Sequence, residues 1–434
     1  MSTAERAEPR VRPFVSWIAL AVAVVLFAGV MGQAASRGHG YDLAPLPTAG
    51  RLVATGQTDH LYAQGSVRYN DVDDEVFRRA AADVGFHLNP TAFVYPPLVA
   101  FVMQPAAHVP FTVLSRVWAA LSILFILAGI AFMLAAYVPA AQTPLAWAGL
   151  LVALCWFEPL RYGFWLGQTT AIIFPLLMGA VLLQRRGYPA AAGAVLALAA
   201  FVKITPLVLA LVWVWRGPRR AAAACAVTLA ALWAVSLAVL GPAVHAAYVA
   251  RVAAIGSRVV IALNNHSALA FASRFWFPPT AWVDWQMYPP PAMASVLTLV
   301  VLAGGAVAAV LALSRPLGGE DGDRRWRRAA EGLAWTAMLI APGIAWTHYF
   351  VFLLPVMAVV ARDWPGRTRK AGWGIAGASF VMCCRAWLPA QERPMIVSGA
   401  VELARASGPT LAAVLLGAAL LCVTVRRRAP ERLP

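Results

Sequence analysis

The sequence predicts an all-α polytopic membrane protein, and three observations carry that prediction. Apolar runs recur along the whole 434-residue chain, which is 61% hydrophobic, and most are close to the roughly 20 residues that a bilayer-spanning helix needs. Charged residues make up only 12%, against about 25% in soluble domains. The arginines gather in short clusters between the apolar runs, at Arg185-Arg186, Arg216 with Arg219-Arg220, Arg324-Arg325 with Arg327-Arg328, Arg362 to Lys370, and Arg426 to Arg428. Cytoplasmic loops of membrane proteins carry this bias. It accounts for the formal charge of +16 as topology, so no nucleic-acid partner is expected.

The elements follow in order. Residues 1–13 are read as a cytoplasmic start. The first run, Phe14 to Ala35, lacks a small-residue cleavage site and is too long for a signal h-region, so it is read as retained. Two polar stretches, 36–91 and 241–292, are too long to be turns and fall opposite the arginine clusters, which makes them the outer loops. The remaining candidate segments are 92–110, 113–137, 145–160, 168–184, 188–203, 206–216, 221–240, 293–313, 330–345, 347–361, 371–388 and 409–425. An inside start and an inside tail at 426–434, "RRRAPERLP", require an even number of crossings. One segment between the first outer loop and Arg185 is therefore expected not to span. Pro96, Pro97 and Pro105 single out 92–110 and leave about 12 spans. Residues 14–425 are then one transmembrane domain.

The first outer loop has structure of its own. In "NDVDDEVFRRAAADVGFHL", Val72, Val76, Phe77, Ala80, Val84 and Leu88 recur at helical spacing, with Asn70 or Asp71 able to cap the helix. Asp73, Asp74 and Glu75 suit its N-terminus. The spacing predicts a surface helix over 72–88, with Val76, Phe77 and Val84 facing lipid or the body of the protein. The five cysteines all lie in apolar runs and read as small core residues. No His/Cys cluster has metal-ligand spacing, and the acids at Asp71, Asp73 and Asp74 lack that of a calcium loop. No essential metal and no cofactor are expected.

Charged residues at membrane depth are costly and rare, so each is a candidate. Lys203 stands in "ALAAFVKITPLVLAL" with Pro206 three residues on; it either serves an anionic ligand at a broken helix or snorkels from a helix end. Glu158 and Arg161, one turn apart, read as a local pair. "ALNNHSALAFASRF" sets Asn264, Asn265, His266 and Ser267 ahead of Arg274, a pattern that suits a sugar and a phosphate or, equally, a capped loop. "GIAWTHYFVFLLP" places His348 at the start of an apolar run, as an interfacial ring or as a donor to phosphate. In "HGYDLAPL", Asp42 sits a few residues beyond the first run, at the water-facing end of a helix.

Taken in order, "YDL", "LYAQ", "FVYPPLVAFVMQP", "GQTT", "KITP", "NHSALA" with its arginine, and "AWTHYFV" resemble glycosyltransferase family 87, over roughly residues 14–425. That family comprises integral-membrane enzymes dependent on polyprenyl-phosphate sugars, among them mycobacterial phosphoinositide mannosyltransferases and a branching arabinofuranosyltransferase. The resemblance implies the GT-C fold, with a long first outer loop and an essential aspartate just after the first helix, a position that Asp42 matches. Three departures stand out: the loop from Tyr62 to Phe93 is longer than expected of the mannosyltransferases, His266 occupies a position often glutamine in the mannosyl enzymes, and Thr169-Thr170 replace a Val-Asn pair. On this resemblance Asp42 is the general base for an acceptor hydroxyl, because a lipid phosphate is already a good leaving group and needs cations rather than an acid. A glycosidase, by contrast, needs two carboxylates.

Lys203, Arg274 and His348 are the expected donor-phosphate ligands. Asn265, His266, Ser267, Tyr95 and Gln168 are the expected sugar and acceptor ligands, with Tyr95 held extended by Pro96 and Pro97 at the cavity entrance. The expected reaction moves mannose or another hexose from a polyprenyl-phosphate donor to a glycolipid or envelope glycan on the outer face of a bacterial inner membrane, with inversion. The alternatives are transfer of arabinofuranose and a transporter of lipid or polysaccharide without chemistry.

Overall fold

The computed structural model describes residues 13–63, 68–69, 71–283, 285–314, 319–365, 368–384, 403 and 407–425. The start over 1–12, the capping Asn70, Gln64 of "LYAQ", the end of the 371–388 segment and the basic tail with Arg426 to Arg428 lie outside these residues. The described fold is helical apart from a two-residue antiparallel ribbon, β1 (Val259–Val260) against β2 (Met287–Tyr288). Among the described residues, four helices are long and apolar enough to cross a membrane: α1 (Pro13–Arg37), Phe111–Tyr137, Arg219–Gly256 and Ala292–Ser314. The chain is a membrane protein on this composition. The other apolar helices are shorter; one of 16 residues covers about 24 Å, against a hydrocarbon core of about 30 Å. Length alone therefore does not yield the expected count of spans.

After α1 the chain lays down three short helices, α2 (Pro45–Ala54), α3 (Glu75–Asp83) and α4 (Pro97–Val102). The segment 92–110 forms no spanning helix. It breaks after α4 into a 3-10 turn, Gln104–His108, as its three prolines dictate. The surface helix is shorter than the apolar pattern predicts. Its cap is Asp74, whose side chain accepts from the Phe77 N–H at 2.7 Å, and Asp71 does not begin it. Phe77 is fully buried, Val84 is buried and Leu88 is exposed, because the helix ends at Asp83 and Leu88 lies past its apolar face. The buried face meets α2, so it docks on the protein body; burying Phe77 there contributes about 1.5–3 kcal/mol.

The bundle continues with α5 (Phe111–Tyr137), α6 (Pro144–Leu154), α7 (Glu158–Leu166), α8 (Thr170–Arg185), α9 (Pro189–Val202), α10 (Val208–Arg216) and α11 (Arg219–Gly256). The predicted 145–160 segment is two helices, broken around Phe157 where a bridge to Cys384 takes over the backbone pairing. The second polar stretch does not start as loop at Gly241. Gly241 takes φ 74° and ψ 166°, and the helix resumes from Pro242 to Gly256, since a proline fits the first turn of a helix without loss of a hydrogen bond. His245 fixes this kink through Gly241 O at 2.7 Å and Ser236 Oγ at 2.8 Å. The chain ends with α12 (Ala268–Ser273), α13 (Ala292–Ser314), α14 (Gly319–Ile340), α15 (Leu353–Asp363), α16 (Arg369–Met382) and α17 (Gly408–Val425).

Charges stitch one end of the bundle. Arg185 of α8 pairs with buried Glu331 of α14 at 2.5 Å and lies over the Tyr137 ring. Arg328 grips Asp363 with two hydrogen bonds, at 2.6 and 2.9 Å, and Arg362 donates to the Tyr137 carbonyl. Asp42 and Lys203 sit at the other end of α8 and α9, one bundle length away.

Candidate active site

Two glycine turns build the site. Gly38, just past α1, lies against Trp165: a Cβ there would fall 1.8 Å from the Trp165 carbonyl oxygen, so only glycine fits. His39 and Gly40 then turn the chain at φ 56° and 64°, and the Asp42 N–H donates to Leu166 O at 3.0 Å. On the facing side α7 ends in Gly167 at φ 72°, the left-handed cap that glycine favours. A Cβ on Gly167 would meet that of Leu43 at 2.9 Å. This close approach places Gln168 at Asp42, and the Gln168 amide N–H donates to Asp42 Oδ2. Thr91 Oγ1 stands 3.2 Å from Asp42 Oδ1 and 3.0 Å from the Tyr41 carbonyl oxygen, so one hydroxyl proton serves both. Burial holds the half-buried Asp42 carboxyl above the usual carboxylate range, while the bonds from Gln168 and Thr91 and the charge of Lys203 pull it back.

Lys203 comes from the break in the α9–α10 hairpin. Pro206 has no N–H for the Val202 carbonyl and its ring crowds it, so α9 ends there and Lys203 takes extended φ −147° and ψ 121°. Its Nζ lies 3.7 Å from the centroid of the Tyr349 ring, a cation–π contact. It acts electrostatically on both Asp42 and His348. Tyr69, Tyr95 and Tyr349 also lie within electrostatic reach of Asp42. The result is one carboxylate, one cation and a tyrosine wall. Such a set can accept a proton and hold an anion.

The predicted residues divide. Asp42, Gln168, Lys203 and His348 converge. Arg274 does not join them: it is 1% exposed, and its guanidinium donates to the carbonyls of Ile261 at 3.1 Å, Ala262 at 2.6 Å and Asn265 at 2.5 Å. Burial pushes this guanidinium down to about 9, still charged at neutral pH, and its bonds hold a loop. Asn265 is likewise a clamp. Its amide donates to Val260 O and Gly343 O and its Oδ1 accepts from Ser267 N and Ala345 N. Ser267 Oγ caps α12 by accepting from Ala270 N at 3.1 Å and donates to Gly343 O. His266 is 1% exposed with its Nε2 at 2.9 Å from Thr347 Oγ1. The expected sugar ligands of this loop are thus bound to the protein itself. Tyr95 is 6% exposed, its hydroxyl against Thr169 Oγ1 at 3.4 Å and its carbonyl accepting from Tyr62 at 2.6 Å. It is part of the wall rather than the entrance.

The two polar stretches meet around this site. Arg68 bridges Gln286, Tyr69 N–H donates to Trp285 O at 2.9 Å, and the Tyr69 ring packs edge-on against Trp346 at 5.1 Å. Three site residues escaped the sequence reading. Thr91 carries no motif of its own, Tyr69 sits in a polar loop, and Tyr349 is adjacent to His348 in a run that spacing assigns to the core. Among the described residues, no group of three or more His, Cys, Asp or Glu side chains is placed to hold a metal ion. Asp74, one of the acid cluster, is engaged as a helix cap and by His60 at 2.8 Å.

Comparison with known proteins adds the chemistry. A family model described as Glycosyltransferase family 87 matches residues 93–342. The chain is 28% identical over 291 residues to a polyprenol-phosphate-mannose-dependent alpha-(1-2)-phosphatidylinositol pentamannoside mannosyltransferase of Mycobacterium tuberculosis, covering 66% of this chain and 62% of the relative. The protein of the same description from Mycolicibacterium smegmatis is 27% identical over 300 residues, covering 66% and 65%. A polyprenol-phosphate-mannose-dependent alpha-(1-2)-phosphatidylinositol mannoside mannosyltransferase of Mycobacterium tuberculosis is 32% identical over 142 residues, 30% of this chain and 33% of the relative. The match thus spans less than two thirds of these relatives' own length. No solved structure matches.

Proposed function

This chain belongs to glycosyltransferase family 87, and on that premise we propose that it transfers a sugar from a polyprenyl-phosphate donor to a hydroxyl of a glycolipid or envelope glycan at the outer face of a bacterial plasma membrane. The observation that carries the reading is a half-buried carboxylate, Asp42, held by Gln168 and Thr91 within electrostatic reach of a cation, Lys203, that rests on the Tyr349 ring. The relatives' names point to mannose as the sugar.

Asp42 accepts the proton of the acceptor hydroxyl. The acceptor oxygen forms its bond to the anomeric carbon as the bond from that carbon to the phosphate oxygen breaks. The electron pair leaves on the lipid phosphate, where Lys203 balances the charge. With one base and no nucleophile pair, displacement occurs in one step and inverts the anomeric centre. The phosphate keeps its lipid tail in the bilayer, which accounts for a base and a cation at the membrane edge.

Two measurements test this. Purified protein supplied with polyprenyl-phosphate mannose and a phosphoinositide or glycan acceptor should form a new glycosidic bond. Mass spectrometry of envelope glycolipids should show a missing sugar in a strain lacking the gene. A deletion strain with an unchanged glycolipid profile, together with no transfer in vitro, would sink the proposal.

A further inference from the structure

Beside Gln168 lies a small cavity between α5, α7, the start of α8 and the turn Thr347–Phe352. It leaves about 20 Å³ for the centre of a water-sized sphere. One water needs about 10–15 Å³ on that measure, so the cavity takes a water and no larger ligand. Trp118, Gln168, Thr170 and His348 are among its walls, and the last three are 7, 5 and 1% exposed. Among the described residues, Trp118 Nε1, Gln168 Oε1, Thr170 Oγ1 and both ring nitrogens of His348 are buried with no hydrogen-bond partner in the protein. Leaving such an atom unsatisfied costs about 1–3 kcal/mol. A buried water makes about three hydrogen bonds, and this wall offers five atoms for them.

The donors and acceptors match. The Asp42 carboxylate only accepts, so the Gln168 NH₂ must face it. This leaves Oε1 as an acceptor directed away from Asp42, where it calls for a donor. A neutral imidazole accepts at one nitrogen and donates at the other, the indole N–H donates, and the Thr170 hydroxyl does either. A water carries two protons and two lone pairs. It can donate to Gln168 Oε1 and to the accepting nitrogen of His348 while it accepts from Thr170 and Trp118. Hydrogen bonds in a chain polarise one another, so a donor on the amide oxygen makes the amide N–H a stronger donor to Asp42. It also keeps the amide the right way round, since a flipped amide would aim its oxygen at the carboxylate.

We infer that a buried water in this cavity joins Thr170 and His348 to the Asp42 base through Gln168, which makes Thr170 and His348 positioning residues for that base. The inference rests on the function proposed above. It takes His348 out of the phosphate site and leaves the phosphate to Lys203. The other groups that face Asp42 act on it directly: Thr91 by a hydrogen bond, and Lys203, Tyr69, Tyr95 and Tyr349 from within electrostatic reach. None of these five lines the cavity, so a change at Thr170 reaches Asp42 by way of Gln168.

The test is the pH profile of kcat/KM in Thr170→Val, which keeps the shape of the side chain and removes its hydroxyl. A weaker bond from Gln168 favours the carboxylate less, so the acid limb should move up. On the acid side kcat/KM should fall about 2- to 10-fold, as expected for one neutral hydrogen bond, while the plateau at higher pH and the donor KM stay close to wild type. Thr170→Ser should restore the wild-type limb. In a Gln168→Leu background, where the amide is already gone, Thr170→Val should shift the limb no further. An unmoved limb, an equal shift in the Gln168→Leu background, or a uniform loss at every pH would overturn the inference. A second measurement needs no turnover. A density map of the whole protein that resolves other buried waters should show one within hydrogen-bond distance of Gln168 Oε1 and Thr170 Oγ1, and an empty position there would also overturn it. A protein that shows this water yet transfers no sugar from polyprenyl-phosphate mannose would defeat the transferase reading alone.

Discussion

The Gln168 amide donates to the Asp42 carboxylate although 126 positions separate them. Two glycines make the contact possible, Gly38 against Trp165 and Gly167 against Leu43. Asp42 is therefore held by the turn between α7 and α8 as well as by its own loop. Asp42→Asn keeps the size and most of the hydrogen bonds but cannot take a proton. Transfer should fall by about 10²–10⁴-fold, while expression and donor binding stay close to wild type. A radiolabelled-donor assay run beside a binding measurement checks this, and full activity in the Asn variant would remove Asp42 from the chemistry.

The pH dependence follows from the direction of the Asp42 shift. Burial raises this carboxyl above its ordinary value, and only the ionised form is a base. The acid limb of kcat/KM should thus lie above the ordinary aspartate range, with activity rising as pH rises through it. Gln168→Leu removes a hydrogen bond that favours the carboxylate, so its acid limb should move further up. The linkage has the corresponding sign. A raised folded-state value means that Asp42 stabilises the fold below its unfolded value and loses that contribution as pH rises through the folded one. At neutral pH, Asp42→Asn should melt no lower than wild type. A limb that shifts down in Gln168→Leu would contradict the bonding described here.

Lys203 rests on the Tyr349 ring and makes no ion pair among the described residues. Replacing a half-buried charge that has no carboxylate partner by an apolar side chain that can keep the ring contact leaves no buried counter-charge behind. Lys203→Met should therefore keep or raise the melting temperature while the donor KM rises by roughly 10- to 100-fold, as expected for the loss of about 1.5–3 kcal/mol from a charged contact. Lys203→Arg should recover part of that loss. With a lysine in the cation's place, EDTA should leave the rate unchanged. A requirement for added magnesium would turn attention to the acids at Asp71 and Asp73.

Arg274 should behave in the opposite way. Its three carbonyl bonds close the loop from Ile261 to Asn265, and hydrogen bonds to a charged group contribute about 1.5–3 kcal/mol each. Arg274→Ala should destabilise by at least about 3 kcal/mol and lower activity through yield and melting temperature, with the donor KM of the surviving folded protein unchanged. Thermal unfolding in detergent with kinetics on the same sample separates the two effects. An intact fold with weakened donor binding would return Arg274 to the phosphate site.

Arg274 also shows where sequence reading stops. An arginine after a polar cluster looks the same whether it holds a phosphate or three carbonyls, and only the path of the loop decides. Asp42 and Lys203 were legible because a charge at a helix end or beside a helix-breaking proline is rare in an apolar chain. Thr91 was not, since its contact with Asp42 comes from a fold-back across 49 positions. Gly241-Pro242 reads as a helix stop by composition, but a proline in the first turn restarts a helix as readily as it ends one. Glu331 was passed over at the edge of an apolar run, and its partner Arg185 lies 146 positions away.

Sidedness remains the premise behind all of these, and it can be tested directly. The first polar stretch touches the second through Arg68 and Gln286, and through Tyr69 and Trp285, so both must face the same compartment. Asp59 and Thr280 are exposed on the two stretches. Four native cysteines are buried and Cys422 is exposed, so Cys422→Ser supplies a quiet background. In that background Asp59→Cys and Thr280→Cys should both react with a membrane-impermeant maleimide added to intact spheroplasts, and a cysteine at exposed Arg324 should react only after lysis. The positive ends of the bundle then lie inside, and the Asp42 site meets a donor whose sugar has already been carried outward. Labelling of Asp59→Cys with protection of Thr280→Cys would put the two stretches on opposite faces, contradict the Tyr69–Trp285 contact, and dismantle the site.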